Sequence, residues 1–255
     1  MIDLSTAAAA FAADHASGRT LVLPTSWDVW SASLVEQAGF PGATIGSHPV
    51  ANSLGYEDGE QIDVDTYFGL VKCITAAVGI PVSVDVESGY GLDARELASR
   101  VMEAGAVGMN VEDTVHSQGG RIRDRDEHAD YIAAIRQACD EAGVEVVING
   151  RTDALIHGTD AFEDPLAEAV ARVVALEAAG ARSVYPVKLP DAAAVSRLVA
   201  AVSVPVNVTA DPRTGSPAGG LAELTELGVR RISFGPLWQA ALGDTSSDWL
   251  GGWKG

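Results

Sequence analysis

Short runs of β-branched residues alternate along this chain with longer stretches whose apolar residues return every three or four positions. The runs fall at 21–23, 43–46, 81–86, 107–111, 144–148, 183–187, 205–208 and 231–234. The longer stretches are clearest at 94–104, 129–142, 166–179 and 192–201, and their spacing predicts amphipathic helices. Strands alternating with helices predict βαβ units on a parallel sheet. Gly39, Gly105, Gly143, Gly180 and Gly228 each close a helical stretch just before a strand, where a C-cap calls for positive φ. Eight such units with no linker predict one α/β domain over residues 1–255, a (β/α)8 TIM-type barrel opened by a helix over residues 3–16. The alternative is an open doubly wound sheet, but no G-x-G-x-x-G loop follows the first strand. Beyond 234 only 238–242 reads as helix. The breaker-rich stretch 243–255 predicts a truncated eighth helix, and its tryptophans predict docking against another subunit.

The length of 255 residues agrees with one such barrel, which typically takes about 250. Seventeen basic against 35 acidic residues give a net charge of −18, which argues against nucleic acid or an anionic membrane surface as partner. No segment has the roughly 20 apolar residues that span a bilayer. The alanine-rich run at 7–13 lacks the basic flank of an export signal, with Asp3 before it and Asp14 and His15 after it, so a cytoplasmic location is expected. Cys73 and Cys139 are too few for a disulfide framework and read as small buried hydrophobes on helices.

In a barrel the chemistry sits where strands end at the C-terminal face. In the third strand Val82, Val84 and Val86 share one face and Ser83, Asp85 and Glu87 the other. With the valines against the helices, Asp85 and Glu87 point into the mouth. The fourth strand turns Val107, Met109 and Val111 outward, leaving Asn110 and Glu112 inward. Val146 and Ile148 in the fifth alternate with Asn149 and Arg151, and Val206 and Val208 in the seventh flank Asn207. Three carboxylates at one mouth repel unless a cation joins them, and oxygen-only donors suit Mg2+, with Mn2+ as the alternative. A salt-bridge network with Arg151 that merely plugs the barrel is the competing reading. Lys188, ending the sixth strand, invites a Schiff-base alternative.

The segments Asp85-Val86-Glu87-Ser88-Gly89-Tyr90-Gly91, Gly108-Met109-Asn110-Val111-Glu112-Asp113 and Asn149-Gly150-Arg151-Thr152-Asp153 resemble those of the isocitrate lyase/phosphoenolpyruvate mutase superfamily. The likeness runs from about Leu21 to Pro236. It implies a Mg2+-dependent barrel that breaks or forms a C–C or P–C bond beside an α-oxocarboxylate. Asp85 is then the direct metal ligand, with Glu87 and Glu112 holding the ion through water. Trp27, Ser47, His48, Asp58, Arg151 and Asn207 contact a small 2-oxo or 2-hydroxy acid. Arg151 and Glu112 belong to the catalytic set. The family pattern also implies a homo-oligomer, dimer or tetramer, with a swapped eighth helix. The loop from Thr114 to Asp124 carries neither the Lys-Lys-Cys-Gly-His-type motif of the lyases nor the Lys-Thr-Asn-Ser pattern of the phosphonate mutases. Its glycines suit a flexible lid, and His116 is the candidate acid/base in place of the cysteine, with His48 and His157 as further candidates. Metal-dependent C–C cleavage or decarboxylation is the leading expectation. P–C mutase or hydrolase chemistry and a non-catalytic 2-oxo acid binding barrel are the alternatives.

Overall fold

A computed structural model describes residues 3–254. In chain order the elements are α1 (Leu4–Ala16), β1 (Leu21–Leu23), β2 (Thr25–Ser26), α2 (Val29–Gln37), β3 (Ala43–Ile45), α3 (Ser47–Leu54), α4 (Val64–Ala77), β4 (Val82–Asp85), α5 (Ala94–Glu103), β5 (Gly108–Val111), β6 (Thr114–Val115), β7 (Arg121–Ile122), α6 (Arg125–Glu141), β8 (Val147–Thr152), α7 (Ala154–His157), α8 (Pro165–Ala178), β9 (Ser183–Pro186), α9 (Ala192–Val199), β10 (Asn207–Thr209), α10 (Leu221–Glu226), β11 (Arg231–Ser233) and α11 (Leu237–Gly251). The chain is thus an α/β fold in which every strand pair except the β6–β7 hairpin is parallel.

One sheet runs β2-β3-β4-β5-β8-β9 and another β1-β11-β10. They meet twice. β1 and β2 are one strand interrupted at Pro24, which has no N–H to donate. Val184 of β9 bridges Val206, just before β10. The main core lies between strands and helices, where Val84, Met109, Ile148 and Val184 are fully buried against residues such as Leu97, Ile135 and Leu176. A second cluster lies under α1, whose Ala8, Phe11 and Ala12 pack on Leu21, Leu23, Val107 and Val147. Val107 therefore joins this plug and not the helix layer expected for it. Many of the acids start helices: the side chains of Asp28, Asp63, Asp93, Asp164 and Asp191 accept backbone N–H groups at the first turns of α2, α4, α5, α8 and α9.

Three expectations change. β8 starts later than expected and runs on through Asn149, Gly150 and Arg151, because Gly150 lets α8 approach: a Cβ there would stand 3.2 Å from the Leu176 side chain. The last helix is not truncated, since α11 covers 15 residues. Its interior holds the single Gly243, a cost of about 1 kcal/mol, while Trp238 packs edge-on against Trp27 at 5.0 Å and Gln239 donates to the Pro49 carbonyl at 2.8 Å. The helix stops where two glycines, Gly251 and Gly252, come together. Cys139 is buried as expected, but Cys73 lies exposed on α4. Among the described residues no helix is long and apolar enough to cross a membrane.

Two buried histidines give the fold a predicted acid sensitivity. Burial pushes both His15 and His128 down to about 3 from an ordinary 6.5. His15 donates from Nδ1 to the Phe11 carbonyl at 2.8 Å and accepts at Nε2 from Arg231 at 3.3 Å, while His128 donates to the Arg151 carbonyl at 3.1 Å. The unfolded chain binds protons at these sites below its ordinary pKa and the native chain does not. The stability they contribute is therefore full above about pH 6.5 and is lost as pH falls toward 3, at up to about 1.4 kcal/mol per pH unit for each. Urea unfolding at descending pH should show the midpoint fall through this window, and less steeply in His128→Gln. A flat profile would contradict it.

Candidate active site

The mouth is built from the ends of β4, β5 and β8 and the segments that follow them. Parallel register sets Asp85 beside Asn110, and Val111 beside Gly150. Asp85, at the last position of β4, turns inward, and its carbonyl is held by the Tyr67 hydroxyl at 2.5 Å. Glu87 follows with φ of +50°. Glu60 and Tyr90, at +60° and +55°, stand against it, so three of the four non-glycine residues with positive φ among the described residues ring one carboxylate. Such conformations cost about 1–3 kcal/mol each and persist only where surroundings enforce them. Here the enforcement is visible. Glu60 donates its backbone N–H to Glu87 Oε2 at 2.6 Å, and its carboxylate accepts from the Ser88 hydroxyl at 2.5 Å and the Tyr90 N–H at 2.8 Å. The Tyr90 hydroxyl donates to Glu87 Oε1 at 3.1 Å.

Glu112 follows β5 and is 2 % exposed. Its two oxygens are claimed from opposite sides, by Arg151 Nη1 at 2.5 Å and by His116 Nε2 at 2.7 Å. Arg151 also reaches Asp85 at 3.7 Å, and lies over the buried Tyr185 ring at 5.9 Å. His116 stands 3.8 Å from Glu87. The structure thus brings Asp85, Glu87, Glu112, Arg151 and His116 into one cluster. Burial raises the pKa of all three acids. For Asp85 and Glu112 the Arg151 charge opposes that shift, whereas Glu87, beside the charges of Asp58, Asp85 and Glu112, reaches about 8. His116 is lifted to about 9, chiefly by its hydrogen bond to Glu112. Electrostatically, the cluster favours added positive charge.

The remaining expected residues divide. Ser47 is buried at the first turn of α3. His48 and Asp58 pair with each other at 3.3 Å on more exposed ground. Asp58 lies close enough for its charge to raise Asp85 and Glu87. Trp27 is packed in the core against Trp238. Asn207 is fully buried, and its amide donates to Ser233 Oγ at 3.1 Å. Lys188 is exposed, which removes the desolvation that a Schiff-base lysine needs. The expected lid is a hairpin, β6 and β7 joined through His116–Gln118.

Sequence reading assigned no role to the layer that holds Arg151. Asp153 takes Arg151 Nε at 2.8 Å and Nη2 at 3.2 Å, and accepts from the Thr114 hydroxyl at 2.8 Å, which also meets His157 Nε2 at 3.0 Å. Asp113 is fully buried and accepts from Thr152 Oγ1 at 2.6 Å, the Asp153 N–H at 2.8 Å and Arg172 at 3.0 Å. Asp113, one residue past Glu112, and Asp153, two past Arg151, close the quoted motifs, and that was the available signal.

Comparison with known proteins places the chain. Residues 11–248 match the family model described as phosphoenolpyruvate phosphomutase. The chain belongs to this family. It lies within the isocitrate lyase/phosphoenolpyruvate mutase superfamily, whose members are enzymes. It is 28% identical to an oxaloacetate decarboxylase of Rhodopseudomonas palustris (strain TIE-1) over 85% of this chain and 73% of that enzyme. It is 31% identical to 2-methylisocitrate lyase of Escherichia coli (strain K12) over 70% and 62%. The crystal structure of a Burkholderia cenocepacia J2315 protein, assigned by inference as a phosphonomutase, superposes with a TM-score of 0.85 at 38% identity, covering 96% of this chain and 98% of that one.

Among the described residues no group of three or more His, Cys, Asp or Glu side chains is arranged, as it stands, to hold a metal ion. The donor set nonetheless fits a hard divalent cation that keeps most of its waters. All donors are oxygen. Glu87 and Glu112 already accept side-chain hydrogen bonds, whereas Asp85 accepts only the Glu87 N–H at 3.2 Å and keeps coordinating capacity.

Proposed function

We propose that this family member is a Mg2+-dependent enzyme that cleaves a C–C bond, by lysis or decarboxylation, in a small 2-oxo or 2-hydroxy diacid. In this reading the two parallel sheets, β2 to β9 and β10, β11 and β1, belong to one (β/α)8 barrel domain, with this cluster at its C-terminal mouth. The reading rests above all on one observation: Asp85, Glu87, Glu112 and Arg151 converge there, with all three acids raised by burial.

In this mechanism Asp85 would hold the cation, with Glu87 and Glu112 beside it to accept hydrogen bonds from its waters. The bound ion supplies charge stabilisation for the keto acid's oxygens. The buried Ser47 hydroxyl and the first N–H groups of α3 orient the substrate carboxylate. In decarboxylation the C–C bond to the distal carboxylate breaks, CO2 departs, the electron pair stays behind as an enolate, and the Arg151 guanidinium faces the developing negative charge. His116, protonated through its contact with Glu112, is the acid that returns a proton to carbon, its Nε2–H giving up the Glu112 bond to do so. Asn207, whose amide is held by Ser233, is given no step in this mechanism.

P–C bond chemistry is the second reading, favoured by the Burkholderia structure. The cations touching the cluster argue against it. Arg151 and His116 are both already paired with acids, and a phosphonate brings more negative charge to this mouth than a dicarboxylate does. The test is pyruvate release from a panel of 2-oxo and 2-hydroxy diacids, with phosphonopyruvate alongside. Mg2+-dependent release from a diacid, lost with EDTA and restored by Mg2+ or Mn2+, is expected. Turnover of phosphonopyruvate alone would move the assignment to the second reading. EDTA-resistant activity, or ligand binding without turnover, would defeat the metal mechanism or the enzyme reading respectively.

A further inference from the structure

Arg123 ends the hairpin that carries His116, and it grips two acid-bearing strand ends by their backbones. Its Nη1 donates to the Glu112 carbonyl at 3.1 Å and its Nη2 to the Ser88 carbonyl at 2.9 Å. The guanidinium lies over the Tyr131 ring at 4.6 Å. That ring is itself fixed, its hydroxyl donating to the Leu92 carbonyl at 2.9 Å. Gly89 keeps the space open, since a Cβ there would stand 2.4 Å from the Tyr131 oxygen. The Arg123 main chain is tied as well. Its N–H donates to the Asp113 carbonyl at 2.7 Å, and its carbonyl accepts from Arg172 Nη1 at 2.8 Å.

We infer that Arg123 is a positioning residue that sets Glu87, Glu112 and the His116 hairpin in their working arrangement. It touches none of the three acid side chains. It acts through carbonyls, where Ser88 follows Glu87 directly and Glu112 is itself the residue held. The two strand ends are also stitched by the Glu112 N–H donating to the Glu87 carbonyl at 2.8 Å, so the guanidinium closes a small backbone ring. The same residue pins the return strand of the hairpin to Asp113, which fixes the distance between Glu112 and His116 at the hairpin's base. A guanidinium suits this place because its planar fork spans two carbonyls while lying flat on an aromatic ring. A lysine ammonium offers a single point of contact.

The kinetic part of this inference rests on the proposed metal-dependent cleavage; the structural part does not. Arg123→Met and Arg123→Lys in the full chain are compared by amide hydrogen exchange across residues 114–122 and by kcat and KM on the accepted diacid. In Arg123→Met the hairpin amides should exchange faster, and kcat should fall about 10–100-fold, the range for groups that orient a site from behind, with KM little changed. Arg123→Lys should keep part of kcat, and added guanidinium ion should restore part of it to Arg123→Ala. Wild-type exchange and kcat in Arg123→Met overturn the inference. So does a lowered melting temperature with kcat per folded molecule unaltered. Should the wild type consume no member of the panel, the cleavage reading falls, and the exchange comparison alone decides Arg123: faster exchange supports the role, unchanged exchange overturns it.

Discussion

Asp85→Ala is expected to lower Mg2+-supported turnover by about 10³-fold or more, since a metal ion supplies several kcal/mol and each 1.4 kcal/mol is about a decade. Of the three mouth acids, Asp85 alone lacks a side-chain hydrogen-bond donor, and its oxygens meet only the Glu87 N–H at 3.2 Å and the Arg151 Nη1 at 3.7 Å. The substitution therefore removes the proposed ligand while leaving Glu112 and Asp153 to hold Arg151. Misfolding does not explain the loss in advance. Asp85 is a buried carboxylate whose charge helps raise Glu87, so its removal relieves repulsion, and the thermal midpoint should hold or rise. Calorimetry should register no Mg2+ uptake by the variant. Asp85→Asn, which keeps shape without charge, should behave the same way. Full activity in Asp85→Ala would take this residue out of the mechanism.

The alternation of runs and stretches made the parallel sheet legible because each βαβ unit repeats its own punctuation, and glycines such as Gly105 and Gly180 do adopt positive φ. The inward direction of Asp85, Glu112 and Arg151 was legible for the same local reason: a strand has period two. Period two says which face, not how deep. Asn207 shares that face of its strand, yet it is fully buried and its amide bonds Ser233. Depth depends on register with β11, a pairing between residues more than twenty positions apart. The Asp113–Arg172 contact at 3.0 Å and the Arg123 grip on Ser88 join residues 59 and 35 positions apart, which no local pattern encodes. The last helix was misjudged for a different reason. Residues 243–250 hold only one glycine, and polar residues such as Thr245 sit comfortably in a helix when they bond back, here to the Ala241 carbonyl at 3.0 Å.

Arg151→Lys should lower kcat by about 10²–10³-fold, the cost of losing one well-placed donor toward a developing oxyanion. The arginine spends its fork on two sides at once. Nε and Nη2 lie on Asp153 at 2.8 and 3.2 Å, and Nη1 lies on Glu112 at 2.5 Å. A lysine ammonium reaches one side or the other, so the charge survives while its direction does not. Methionine is the poorer test, because emptying the site of positive charge strands buried acids at about 3–5 kcal/mol and confuses stability with chemistry. With lysine the folded state should persist, read by circular dichroism, and the loss should fall on kcat more than on KM, since the missing donor matters most once charge has moved onto oxygen. Asp153→Asn should repeat the pattern more weakly: an amide still accepts one of the two bonds, leaving Arg151 present but less firmly aimed. Equal kcat in Arg151→Lys and wild type would show that the guanidinium serves the acids around it and not the reacting molecule.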